Sequence, residues 1–172
     1  MDVQVSKIRK IRGQPEGLDN ITVFVEDPAP GKGKIIIECY GKSWSLFWPA
    51  MGDKKLGEFF QSCGNDYLIG CLAPGLSPDR STDDPALIRK KLLKDLELNV
   101  GSLTALRVEE LKDLVESTPD ELIEWDKLAA LVYGEEWFLY PMPTEEDRDY
   151  SYLSRIVDGV KNILEYVDGL VL

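Results

Sequence analysis

The carboxylates are the residues of this chain whose number and spacing first suggest chemistry. Glu109 and Glu110 precede Asp113, and Glu145 and Glu146 precede Asp149, at three- and four-residue intervals that share one side of a helix. Such sets can converge on a divalent cation or supply an acid/base pair. The plainer account is an acidic, solvated helix face, and no DxDxDG loop supports calcium. The chain has no His, which removes Ser-His-Asp and Cys-His nucleophile pairs in their usual form and the commonest zinc ligand. No GxxxxGK[ST] loop and no GxGxxG after a strand is present. The PGKGK stretch at 30–34 sets Lys32 and Lys34 beside two glycines, a pattern that can cradle a phosphate. It lies between two strand-like runs and therefore reads as a hairpin turn. These residues assign no catalytic, cofactor or metal site, and the expectation is a protein that is not an enzyme.

Charge layout is more informative. Residues 1–73 hold 9 Lys+Arg and 9 Asp+Glu, whereas residues 74–172 hold 11 and 22, which accounts for the whole net −11. The surplus narrows to residues 109–149, where 14 acids face only Lys112, Lys127 and Arg148. A block of that sign repels nucleic acid and attracts basic protein surfaces. Its candidate partner-binding residues are Glu109, Glu110, Asp113, Glu116, Asp120, Glu121, Glu124, Asp126, Glu135 and Glu136. They would serve either to mimic duplex phosphates or merely to keep the protein soluble.

Aromatic residues gather in CYGKSWSLFWPAMG, residues 39–52. Tyr40, Trp44, Phe47 and Trp48 can stack on bases, but that mode needs a basic groove. Only Lys32, Lys34, Lys42, Lys54 and Lys55 are near, in a half with no net charge. Core packing and a protein-binding patch remain as readings. Ile35, Ile37 and Cys39 share one parity, and Trp44, Leu46 and Trp48 the other. A one-residue bulge at Gly41–Ser43 would bring all six to one face and leave Tyr40, Phe47 and Met51 exposed. Tyr40, Phe47 and Trp48 form a secondary candidate patch for self-association or a partner.

The elements that must position these residues run strands first, helices later. Strands are expected at 3–11, 21–26 and 34–40, the last two joined by DPAPGKG. Leu56, Phe59 and Phe60 have helical spacing, Gly64-Asn65 breaks it, and 66–72 resumes it. Residues 73–85, with three Pro, read as a linker. Asp84 can cap a helix with Pro85 at its first position. Residues 104–116 set Val108, Leu111, Leu114 and Val115 on one face. In STPDE, Thr118 and Pro119 signal a helix start, with Leu122, Trp125, Leu128, Ala129 and Val132 as its stripe. The 104–132 pair could make a helix-turn-helix, but the acids of its second helix would oppose DNA phosphates. Residues 134–143 read as irregular or a short strand. Thr144 with Asp147 opens a last helix, with a stripe from Tyr152 to Val167. The fold class is α+β: an antiparallel hairpin or sheet in 1–73, an acidic helical insertion over 74–143, and a C-terminal helix over 144–172 that packs on the core.

Residues 21–72 carry GKGKIIIECYG, WSLFW, EFFQSC and YL, and residues 152–164 read YLSRIVDGVKNIL. On these motifs the chain resembles small accessory proteins encoded by tailed bacteriophages and prophages of enterobacteria. It differs at Cys71, where that group would have Lys, and it sets about 70 residues between the two blocks. The resemblance implies a phage-borne accessory protein made in the bacterial cytoplasm and implies no mechanism. Three cysteines without a framework pattern, no membrane-length apolar run and no signal-peptide pattern agree with that location. The resulting expectation is a host protein with a basic surface as partner, no direct nucleic-acid binding, no membrane and no cofactor. Self-association through the aromatic hairpin is the alternative.

Overall fold

A computed structural model describes Val3, residues 5–100 and residues 102–170, the side chains of Gly169 and Leu170 excepted. The first strand, β1, spans Arg9–Gly13 rather than the whole of 3–11. Val3, Val5 and Ile8 are 66%, 95% and 54% exposed, so the first apolar residues of the expected strand are not buried, and residue 4 lies outside the described residues. β2 (Ile21–Ala29) and β3 (Lys32–Cys39) pair antiparallel around Pro30-Gly31, the hairpin that PGKGK signalled.

The aromatic stretch corrects one expectation. No bulge runs through Gly41. Instead β3 turns back through Tyr40-Gly41 into a new strand, β4 (Lys42–Trp48). Both turn residues have positive φ, 46° and 76°, the signature of a two-residue hairpin whose twist matches its strands. Directly paired residues point to the same side of a sheet. Ile37 opposite Trp44, Ile35 opposite Leu46 and Gly33 opposite Trp48 therefore share the face that the bulge was invoked to create.

The four strands make one antiparallel sheet in chain order. Its inner face (Ile21, Val23, Val25, Ile35, Ile37, Cys39) is sealed from water. The cover comes from α1 (Leu56–Ser62), α2 (Asn65–Leu72) and the long C-terminal helix, α6, at Arg148–Leu170. α6 contributes Leu153, Ile156, Val157, Val160 and Leu164 to this core. Asp147 caps it by accepting the amides of Asp149 and Tyr150 at 2.9 and 3.0 Å. Thr144, expected to share that role, belongs to a short strand instead.

Contacts divide the chain into two units, residues 1–78 with 147–172, and residues 79–146. The stretch expected to be linker contains β5 (Asp79–Ser81), which pairs with β6 (Thr144–Glu146), so the second unit begins and ends on one two-stranded ladder. Arg80 donates to Glu145 across that ladder at 2.8 Å. Its helices are α3 (Pro85–Glu97), α4 (Ala105–Ser117) and α5 (Trp125–Tyr133). Asp84 caps α3 through the amides of Ala86 and Leu87.

STPDE does not open α5. Thr118 closes α4, donating its hydroxyl to the Leu114 carbonyl at 2.6 Å, and Pro119 leads into a single 3-10 turn over Asp120–Leu122. α5 starts three residues later, with Glu124 at its N-cap position. Trp125, Leu128, Ala129 and Val132 of the expected stripe are buried as read, and only its first member changes. Ile123 is buried, whereas Leu122 is 62% exposed, and Leu114 of α4 is 41% exposed. The polar substitution Leu122→Ser is therefore expected to change stability by less than about 0.5 kcal/mol. Urea unfolding checks this, and a core position would lose several times more.

Candidate functional site

All ten acidic residues singled out from the sequence lie in the second unit, and all ten are exposed. Residues 79–146 carry 17 Asp+Glu against 8 Lys+Arg, a net −9 of the chain's −11. Glu109, Glu110, Asp113 and Glu116 ride on α4. Asp120 and Glu121 sit in the 3-10 turn, Glu124 and Asp126 flank Trp125 at the start of α5, and Glu135 and Glu136 follow α5 in a 3-10 segment, Gly134–Leu139.

Four of the ten are partly neutralised. Lys112 meets Glu109 at 3.3 Å, Arg107 meets Glu110 at 3.1 Å, Lys127 meets Glu124 at 2.7 Å and Arg89 meets Asp120 at 2.6 Å. Such exposed pairs add little stability, so their main effect is on the local field. Asp113, Glu116, Glu121, Asp126, Glu135 and Glu136 form no ion pair among the described residues. They are exposed negative charges without an ion-pair partner, spread over four elements of the unit.

Buried groups hold those elements in shape. Val108, Leu111, Val115, Ile123, Trp125, Leu128 and Val132 close on Ile88, Leu92 and Leu96 of α3. Arg89 ties the corner between α4 and α5. Its guanidinium donates to the carbonyls of Val115, of Glu116 at 3.0 Å and of Thr118 at 2.8 Å, as well as to Asp120. Those carbonyls include ones that α4 leaves unbonded at its C-terminus. Tyr133 donates to Asp95 and stacks on Tyr140 with ring centroids 4.0 Å apart. Burial, then the Asp95 carboxylate, push the Tyr133 hydroxyl well above the usual tyrosine range, so it stays a donor.

A family model described as a phage family matches residues 1–165. The chain belongs to that family. The match takes in the acidic helices of 79–146 as well as the two blocks of motifs at either side of them. No curated protein and no solved structure matches the chain. For this member of the phage family, any assignment of a working surface therefore rests on its own geometry.

Of the two carboxylate sets, Glu109, Glu110 and Asp113 share α4, whereas the second set is divided between elements. Glu145 and Glu146 lie in β6 and Asp149 in the first turn of α6, so they do not share a helix face. Asp149 pairs with Lys42 at 3.3 Å. Among the described residues, no group of three His, Cys, Asp or Glu is placed to hold a metal ion.

The secondary patch is split by the fold. Trp48 is 5% exposed and Met51 4% exposed. Trp48 packs edge-on to Phe59 and Phe60 and donates its indole N–H to the Tyr67 hydroxyl at 3.1 Å. Tyr40 stays exposed at the hairpin tip. Phe47 is half-exposed on the sheet's outer face, where the neighbouring Phe24 and Ile36 are half-buried. Lys10 lies over the Phe24 ring at 5.3 Å. The Cys39 thiol sits 3.6 Å from the Tyr152 hydroxyl. That hydrogen bond, with burial, pushes the Tyr152 hydroxyl up to about 12. Cys39, Cys63 and Cys71 are all free thiols, and burial raises that of Cys63. No helix among the described residues is long and apolar enough to cross a membrane.

Sequence reasoning missed Arg89. It stands 26 to 31 residues from its four acceptors, and an Arg on a helix carries no local sign of which helix end it will reach.

Proposed function

We propose that this phage-family protein is a non-enzymatic accessory protein that binds a basic host protein through residues 79–146. It would act as an inhibitor of host defence or of DNA metabolism by presenting carboxylates where the partner normally meets phosphates. The observation that carries this reading is the set of six unpaired, exposed carboxylates on a unit of net −9 whose core and Arg89 corner hold them in place. Nucleic-acid duplexes present one charge per ~1.7 Å of helix axis, and proteins that bind them match that density with Lys and Arg. An acidic surface competes for the same side chains. The same charge opposes direct nucleic-acid binding by this protein.

The test is capture of host proteins by the tagged full chain, with washes at low and high salt. A basic nucleic-acid-binding protein held at low salt and shed at high salt is the expected result. The triple variant Glu116→Lys, Glu121→Lys, Glu135→Lys should bind that purified protein at least about tenfold more weakly with unchanged circular dichroism. Unchanged affinity would overturn the reading. The exposure of Tyr40 and Phe47 favours a second reading, an assembly module that associates through the sheet hairpin. There, Tyr40→Ser with Phe47→Ser abolishes an oligomer in light scattering, and the charge reversal changes nothing.

A further inference from the structure

We propose that the cleft beside Trp125 and Trp137 is an anchor pocket for an arginine side chain of the protein partner. This rests on the reading of residues 79–146 as a partner-binding surface, and it names the side chain that the surface would grip.

The cleft measures about 430 Å³ and lies wholly within the second unit. Its walls are apolar: Ile88 from α3, Trp125 from α5, and Trp137 from the 3-10 segment after it. Its rim is anionic, with Asp83, Glu124 and Asp126. Lys127 already takes the charge of Glu124 at 2.7 Å. Asp126 accepts its neighbour's amide through one oxygen, Lys127 N at 2.9 Å, and Asp83 makes no ion pair among the described residues. Two carboxylates without an ion pair among the described residues thus line the cleft with the partly exposed indole of Trp137, behind which the Trp125 ring is 6% exposed.

That combination selects its occupant. An anion is repelled by the rim. A neutral apolar group fills the walls but strips water from the carboxylates without replacing it. A cation with a flat apolar face satisfies both. The guanidinium is planar, stacks on indole and offers a fork of N–H donors to carboxylates, whereas the lysine ammonium is a compact, strongly hydrated point charge. The volume falls within the ~300–1,000 Å³ typical of clefts that bind small groups, which is room for an arginine side chain. Arg and Trp are also the residues on which interface energy concentrates.

The experiment uses the full chain and fluorescence anisotropy of labelled hexa-arginine and hexa-lysine peptides. Hexa-arginine should bind about fivefold or more tightly than hexa-lysine, although the two carry the same charge. Trp137→Ala, and separately Asp83→Asn with Asp126→Asn, should each weaken hexa-arginine about tenfold. Both aspartates are exposed, so the second variant keeps the test decisive if loss of the indole disturbs folding. Equal affinity for the two peptides overturns the pocket. So does parental binding by both pocket variants while the Glu116, Glu121, Glu135 reversal loses it, and in that case the acidic surface still stands as the working face. Binding of neither peptide also overturns the pocket, and the broader reading is then decided by the host-protein capture alone.

Discussion

Arg89→Met should destabilise the helices of residues 79–146 by about 3 kcal/mol, although the substitution keeps most of the side chain's apolar length. The Arg89 side chain is 22% exposed. It donates to three backbone carbonyls around the end of α4 and to Asp120. The Asp120 carboxylate is 70% exposed, so its ion pair is screened and contributes under about 1 kcal/mol. The larger share comes from the carbonyls. A hydrogen bond to a charged group is worth roughly 1.5–3 kcal/mol, and water recovers part of that at a half-open corner. Methionine offers no donor, so the turn at 118–122 loses the group that fixes it between α4 and α5. Urea unfolding measures the loss, and hydrogen exchange locates it: amides of the α4 C-terminus and of Leu122 and Ile123 should exchange faster. Arg89→Lys keeps the charge but not the fork and should recover less than half of the loss. Full recovery by lysine would mean that charge alone, rather than the several-fold donation, holds the corner. Because Glu116, Asp120 and Glu121 sit at that corner, the same change should blur the acidic surface.

How far the sequence revealed this structure depends on the range over which each signal acts. Short-range signals were legible. Asp84-Pro85 opens α3 as read, the apolar stripe of α6 points inward, and Pro30-Gly31 turns a hairpin. Signals with two local solutions were misread. Parity alone cannot separate a bulged strand from a new one running back, because a two-residue turn brings Trp44, Leu46 and Trp48 to the same face that a bulge would. A tyrosine at φ 46° hid the turn, since Tyr rarely occupies a position usually filled by Asn, Asp or Gly. Thr118-Pro119 fits a helix start and equally a helix stop, and the buried Ile123 and Trp125 decide for the stop. For the site, the composition displayed the acidic block, but not which carboxylates are neutralised. Nor could it show that Asp83 would join Trp125 and Trp137, 42 and 54 residues along the chain, around one cleft.

Gly31→Ala is expected to cost about 3–4 kcal/mol, the other large effect, although it adds a single methyl at a surface turn. Two penalties act together. The backbone sits at φ +67°, where an L side chain is strained by about 1 kcal/mol. The added Cβ would also stand only 2.3 Å from the Gly52 carbonyl oxygen, and that neighbour is backbone, not a side chain that can swing away. Relief requires the 49–55 loop to move. That loop is pinned, because the Met51 amide donates to the Gly31 carbonyl at 2.7 Å and the Met51 side chain is buried against the core that Leu56 and Phe60 complete. Moving it would break the hydrogen bond and open the core beside Gly33, whose own surroundings of Met51 and Leu56 leave no slack. Thermal or urea unfolding checks the magnitude. The prediction also assigns the glycines of PGKGK a job. If Gly31 were present to let a phosphate approach Lys32 and Lys34, alanine would weaken ligand binding and leave stability nearly intact. If the turn is built against the Met51 loop, stability falls whatever the ligand, and Lys32→Ala, on an exposed side chain that pairs with nothing among the described residues, leaves it within about 0.5 kcal/mol.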